Sequence, residues 1–368
     1  MRRVGVAELP LHQGRCPPWL FKRMKRLGGA IAELIIHEHG RREFLRRIGD
    51  PFFFQALGCT LGFDWHSSGV TTTVCGALKE AIKPEELGIA VCGGKGKVSK
   101  QTQNEIEEVA DCLSLSSQRI DSLRYASRMA AKVDNSCLQD GYQLYHHCFI
   151  VSEDGDWAVV QQGMQEHLAR RYHWLSENMR SFVEEPHSGI ASDRQEQSVL
   201  DMTAGESEEA RKTSLDLVLD EPQRLSGLIR EAKQASIDEY LPHRSQMLTL
   251  VMPTQHTIQE LTDRTIAALH RAYEIQPESY EELVAIRGIG PKAVRALALV
   301  SELIYGASAS WRDPAKYSFA HGGKDGIPYP VDRRTYDKTI EIIENAALSA
   351  NIGQNEKIDA VRRLHEFL

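Results

Sequence analysis

The stretch Tyr145-His146-His147-Cys148-Phe149-Ile150-Val151-Ser152-Glu153-Asp154-Gly155-Asp156-Trp157-Ala158-Val159-Val160-Gln161-Gln162 decides how the first half of this chain folds. Two apolar runs, 145–151 and 156–162, are split by Glu-Asp-Gly, which predicts a β-hairpin. Upstream, Gly88-Ile89-Ala90-Val91-Cys92 reads as a short buried strand. Helical patterns surround these strands. In 17–48, Pro17 and Pro18 stand where a helix start tolerates proline. Leu20, Met24, Leu27, Ile31, Leu34 and Ile35 then recur at three- and four-residue steps. Segments 69–82 and 103–132 are also helical, and 222–306 reads as successive helices. The expected fold is α+β: a mixed α/β domain over 1–183, an acidic linker over 184–221, and an all-helical domain over 222–368.

The 368 residues are 42% hydrophobic and 26% charged, enough for two or three domains with real cores. No uncharged apolar run reaches membrane-spanning length, and the N-terminus lacks the apolar region of a secretory signal. A cytoplasmic protein with no membrane partner is therefore expected. The seven cysteines contain no C-x-x-C and all lie at or before Cys148, which predicts reduced thiols rather than a disulfide framework.

A net charge of −7 argues against a nucleic-acid partner until it is divided along the chain. Residues 1–48 hold eleven basic and four acidic side chains, and 286–340 hold nine and five. Residues 184–221 hold three basic and eleven acidic ones. The acidity is concentrated in the linker-like stretch.

Residues 278–306 place two amphipathic helices around Gly288-Ile289-Gly290, followed by Pro291 and Lys292. Two glycines permit a tight turn and close approach of a ligand to the backbone. The amide groups at the next helix start, with its dipole, suit a phosphate oxygen. Lys292 and Arg295 add charge, and Ile289 would anchor the turn. This pattern resembles a helix-hairpin-helix, which implies sequence-independent binding of the DNA backbone. Base-excision glycosylases share that motif, and resemblance to them implies Lys292 as an imine-forming nucleophile assisted by Asp332 in Pro330-Val331-Asp332. The separation of 40 residues is longer than that family's pattern.

Three N-terminal clusters are candidates for chemistry. Asp64, His66, Ser67, Ser68 and Thr71 precede or open a helix, where hydroxyls and amides could bind an anion. Gly93-Gly94-Lys95-Gly96-Lys97 is a glycine-rich loop after a strand, without P-loop spacing, so Gly94, Lys95 and Lys97 form a second candidate anion site. Asp134, Asp140, His146 and His147 lie on and before the hairpin. Asp64, His66, Asp140, His146 and His147 form a candidate catalytic set. Asp64, Asp134, Asp140 and His146 could ligate a divalent metal (Mg, Mn or Zn) that activates water against a phosphodiester. Adjacent histidines facing opposite ways within a structural hydrogen-bond network are the competing reading.

Several strings resemble an uncharacterised archaeal and bacterial family, domain of unknown function 763: Gly5-Val6-Ala7-Glu8-Leu9-Pro10-Leu11-His12, Phe63-Asp64-Trp65-His66-Ser67-Ser68-Gly69, Gly93-Gly94-Lys95-Gly96-Lys97 and Gln139-Asp140-Gly141-Tyr142-Gln143-Leu144-Tyr145-His146-His147. The resemblance implies no activity. From the residues themselves, the expectation is a DNA-processing enzyme, a metal-dependent nuclease of the repair kind. The glycosylase/lyase and a non-catalytic DNA-binding protein are the alternatives. The oligomeric state is open.

Overall fold

The computed structural model describes residues 16–62, 69–166, 168–192, 195–238 and 261–315, with parts of 341–362. A first helical layer is built from α1 (Pro18–His39), α2 (Arg41–Ile48), α3 (Pro51–Thr60) and α4 (Gly69–Ala81). The long helix expected over 17–48 is thus two helices, broken at Gly40. The Asp50 carboxylate caps α3 by accepting from the Phe52 amide at 2.8 Å, satisfying a donor the helix cannot use. α5 (Pro84–Leu87) leads into β1 (Ile89–Lys95), which is followed by α6 (Thr102–Glu108) and α7 (Ser117–Ser136).

The strands β2 (Leu138–Gln139), β3 (Gln143–Ser152), β4 (Trp157–Gln165), β5 (Leu168–Leu175), β6 (His187–Ser192) and β7 (Leu200–Asp201) come next. The main sheet is antiparallel throughout, in the order β1-β3-β4-β5-β6, while β2 pairs with β7. The predicted hairpin is β3–β4, closed by the Ser152 amide donating to Asp156 O at 2.9 Å.

Both faces of this sheet are covered. Side chains alternate along each strand, so Cys148, Ile150, Ala158, Val160 and Leu175 join the core under α1–α4. Phe149, Val151, Trp157, Val159 and Trp174 join the core on the α7 side. An antiparallel sheet usually wets one face, and here the second layer explains the unbroken apolar runs. It also explains why β5 is illegible: Arg170, Arg171 and His173 are fully buried but read as a polar segment.

The second half departs from the expected linker and separate helical domain. Residues 184–221 supply β6 at the sheet edge, β7, and α8 (Glu208–Leu219). Their acidic side chains mostly face solvent, while Ile190, Ala191, Leu200, Ala210, Leu217 and Val218 are buried, a sparse pattern that composition hides. α9 (Pro222–Asp238), α10 (Asp263–Ile275), α11 (Tyr280–Ala285) and α12 (Pro291–Tyr305) complete the described elements. α12 packs against α7, α8, α9 and α10. Leu283, Leu297 and Val300 share one contiguous core with Phe149 and Trp157 of the sheet. The helices are a layer on the sheet, not a separate unit.

Candidate functional site around β3

Strand alternation sends His147 and His146 to opposite faces, so the expected Asp/His cluster does not form as one group. On the α7 face, His147 Nδ1 lies 2.8 Å from Gln161 Oε1, and His147 Nε2 lies 2.9 Å from Ser127 Oγ. Gln161 Nε2 donates to Asp134 Oδ2 at 2.5 Å. Asp134 also accepts from Trp174 Nε1 at 3.0 Å and lies 2.6 Å from His187 Nε2. The acceptor-only carboxylate fixes the polarity of this chain. It claims the amide hydrogens of Gln161, so Gln161 Oε1 faces His147 and Nδ1 must carry the proton. Nε2 then holds a lone pair toward the Ser127 hydroxyl. Burial lowers His147 to about 4, so the ring is neutral near neutrality.

Asp140, on the same side, belongs to a different network. Arg170 Nη1 donates to it at 3.1 Å, the Tyr172 hydroxyl at 2.7 Å and the Tyr142 amide at 3.0 Å. Arg170 also donates to both carboxylate oxygens of Asp313, at 3.0 and 2.6 Å. Asp134 and Asp140 are therefore engaged by protein donors and are not open oxygen ligands for a hard cation, contrary to the expected metal set. The reason is topological: β5 delivers Arg170 and Tyr172 beside them, which local sequence does not reveal.

On the opposite face lies a group absent from the expectations. Cys75 of α4 meets His146 and Cys148 of β3, and their donor atoms lie within 4.8 Å of one another. All three residues are buried, and this group could hold a metal ion. Neither ring nitrogen of His146 has a hydrogen-bond partner. Burial, with Lys95 nearby, lowers His146 to about 3. The His-x-Cys spacing on one strand face was visible in the sequence, but the third residue comes from 71 positions upstream. On this face too, Arg171 donates to Thr71 Oγ1 at 3.4 Å and Gln55 Oε1 at 3.0 Å, so buried Thr71 is engaged internally rather than open to an anion.

A cleft of about 280 Å³ opens beside β3. Ser127, His147 and Gln161 line it together with Lys100, Arg128, Ser99 and Thr102, and no lining residue described is acidic. Lys100 and Arg128 are exposed. The glycine-rich loop borders it through Ser99, but its nest is partly filled from within. The Gly93 amide donates to Glu105 Oε2 at 2.6 Å, and Lys79 Nζ bridges the same carboxylate at 2.6 Å. Gly94 is half-exposed, and Lys95 and Lys97 are exposed, Lys95 lying 5.7 Å from the Tyr145 ring centroid. Gly93 itself is obligatory: its φ is 86°, and a Cβ would stand 2.2 Å from His147 O.

The Gly288-Ile289-Gly290 segment joins α11 to α12 as a tight turn. Gly288 has φ 102°, and a Cβ there would stand 2.8 Å from the Ala268 methyl. Ile289 is fully buried, as expected of the anchor. Nothing lies within 4 Å of a Cβ at Gly290, and α12 has no side-chain cap. The turn is held to the sheet layer by Lys132 Nζ donating to Ile286 O at 2.9 Å and Gln139 Nε2 donating to Pro291 O at 2.8 Å. Lys292 is exposed, without the desolvated pocket an imine-forming amine requires. Arg295 is half-buried: it donates to Gln139 Oε1 at 3.1 Å and lies 5.5 Å from the Trp311 ring centroid, so it braces the turn. Asp64, His66, Ser67, Ser68 and Asp332 lie outside the described residues.

No helix among the described residues is long and apolar enough to cross a membrane. No curated protein and no solved structure matches the chain. Residues 5–331 match the sequence family described as "Protein of unknown function (DUF763)", which spans the sheet, both helical layers and the cleft; the chain belongs to that family.

Proposed function

We propose that this protein binds the sugar–phosphate backbone of DNA and processes a phosphodiester in the cleft beside β3. The observation that carries the reading is the cleft floor. A neutral His147, its proton held on Nδ1 by the Gln161–Asp134 relay, turns the lone pair of Nε2 toward Ser127 Oγ at 2.9 Å, in a cleft that exposed Lys100 and Arg128 also line. A neutral imidazole can take a proton from a hydroxyl or water, and two cations can stabilise charge on a phosphate oxygen. The turn at 286–290 supports the same reading as a helix-hairpin-helix: open space at Gly290, an uncapped start of α12 and exposed Lys292 suit a backbone phosphate. The hard-ion site built on Asp134 and Asp140 has no such support, so the base in this reading is His147.

The test uses labelled single- and double-stranded DNA, with binding read by fluorescence anisotropy across a salt series and products read on gels with Mg²⁺, Mn²⁺ or Zn²⁺ added. Binding should weaken steeply with salt. Lys100→Glu with Arg128→Glu should weaken it for every sequence and lower the log–log slope by about one per lost phosphate contact. His147→Asn should abolish product and leave binding in place. Absence of binding at low salt refutes the reading; binding without product under any condition refutes the processing half of it.

A further inference from the structure

We infer that Cys75, His146 and Cys148 form a soft-metal centre for a zinc-class ion, which ties α4 to strand β3. The inference does not rest on the proposed DNA chemistry. Three observations carry it. The donor set is two sulfurs and one imidazole nitrogen, drawn from two elements far apart in sequence and brought within 4.8 Å of one another. Tetrahedral zinc with ordinary bond lengths needs about 3.8 Å between sulfurs and about 3.6 Å from sulfur to nitrogen, so closing on an ion takes shifts of at most about 1 Å. The second observation is His146 itself, 1% exposed, with both ring nitrogens lacking a hydrogen-bond partner. Among the described residues, the other buried imidazoles are bonded at both nitrogens. His147 meets Ser127 and Gln161, and His173 meets Arg171 and Ile48 O. A buried polar group left unpaired is the exception that asks for a ligand.

The third observation is charge. Two thiolates neutralise a dication, so the loaded centre carries no net charge, as a fully buried site requires. Soft thiolates select zinc-like or cuprous ions over Mg²⁺ and Mn²⁺, which prefer oxygen. Binding releases the two thiol protons to solvent, and the ring binds through one nitrogen lone pair with its other nitrogen protonated. All three residues are buried, and three protein donors leave the fourth tetrahedral position for water or another small donor. A Cys75–Cys148 disulfide is the rival state for two sulfurs this close, and the test separates the two.

The experiment is elemental analysis of the full-length chain, purified under reducing conditions and desalted, followed by exchange into Co²⁺. The expected result is one zinc-class ion per chain. The cobalt form should show intense visible d–d bands and near-ultraviolet sulfur-to-cobalt charge-transfer bands. Cys75→Ser with Cys148→Ser should reduce the metal content to buffer background, and Cys112→Ser, at an exposed thiol, should leave it unchanged. If the double variant does not fold, mercurial titration of the wild-type protein replaces it, and release of the ion in step with two buried thiols supports the centre. A reduced, folded chain with no bound metal that takes up neither Zn²⁺ nor Co²⁺ overturns the inference. So does metal content that survives loss of both cysteines, or a Cys75–Cys148 disulfide found by mass spectrometry in unreduced protein that cannot be loaded after reduction.

Discussion

Arg170→Met gives the sharpest test of the polar core. The guanidinium is fully buried, and its partners Asp140 and Asp313 are 1% and 3% exposed at the side chain. It also donates to Ser192 Oγ at 3.2 Å and lies 4.7 Å from the Tyr142 ring centroid. Methionine keeps much of the volume but leaves two buried carboxylates facing each other without a cation. Removing one member of a buried pair typically costs about 3–5 kcal/mol, and two stranded carboxylates put this case at the upper end, a large share of a total of about 5–15 kcal/mol. The pH dependence follows from the carboxyls. Burial holds Asp140 above the usual carboxylate range, Arg170 opposes that, and Asp313 adds to it. Without Arg170 the folded-state value rises further. A raised folded value gives stability that is present at low pH and is lost as pH rises through it. The penalty should therefore be largest near neutrality and shrink on acidification, by up to about 1.4 kcal/mol per pH unit per carboxyl. Urea unfolding of both proteins at about pH 7 and about pH 5 measures it. The combination Arg170→Met, Asp140→Asn, Asp313→Asn should recover most of the loss, because no charge is then stranded. A loss under about 1 kcal/mol at pH 7, or a deficit that grows on acidification, would refute this account and return Asp140 to the list of candidate ligands.

Other outcomes follow from single contacts. Gly93→Ala should destabilise by well over about 1 kcal/mol, because left-handed strain adds to a backbone clash with His147 O, whereas Gly96→Ala, at φ 63° in open space, should cost only the strain, about 1–2 kcal/mol; thermal unfolding compares them. His173 donates from Nδ1 to Ile48 O, accepts from Arg171 at Nε2, and is pushed by burial and then by Arg171 well below the usual histidine range. A depressed folded value gives stability present above about pH 6.5 and lost as pH falls, at up to about 1.4 kcal/mol per unit, so His173→Gln should flatten the acid limb of the stability–pH curve by about one proton. Gln139→Ala removes the acceptor of Arg295 and the donor to Pro291 O, so it should weaken the proposed DNA binding through the turn while leaving far-ultraviolet circular dichroism unchanged.

The boundaries of legibility run through particular residues. The hairpin at 145–162 was readable because Gly155 and its acidic neighbours interrupt two apolar runs. Helix α4 and strand β1 also fall where periodicity put them. β5 and β6 were not readable, since buried Arg170, Arg171 and His173 carry no apolar pattern and are tolerated only through partners on other elements. The acidic stretch misled because charge on exposed faces outweighs the few buried aliphatics that fix β6 and α8.

Sequence by itself determined some of the local states: the hairpin at 145–162, helix α4, strand β1, the tight connection at Gly288 and Ile289, and the crowd of polar residues on the strand at 143–152. Tertiary structure alone decided their partners. One residue of offset on β3 sends His147 into a relay with Ser127, Gln161 and Asp134 and sends His146 to Cys75 and Cys148. The physical reason is that a buried polar group is defined by what satisfies it, and in a two-faced sheet the satisfying groups arrive from elements far away in sequence.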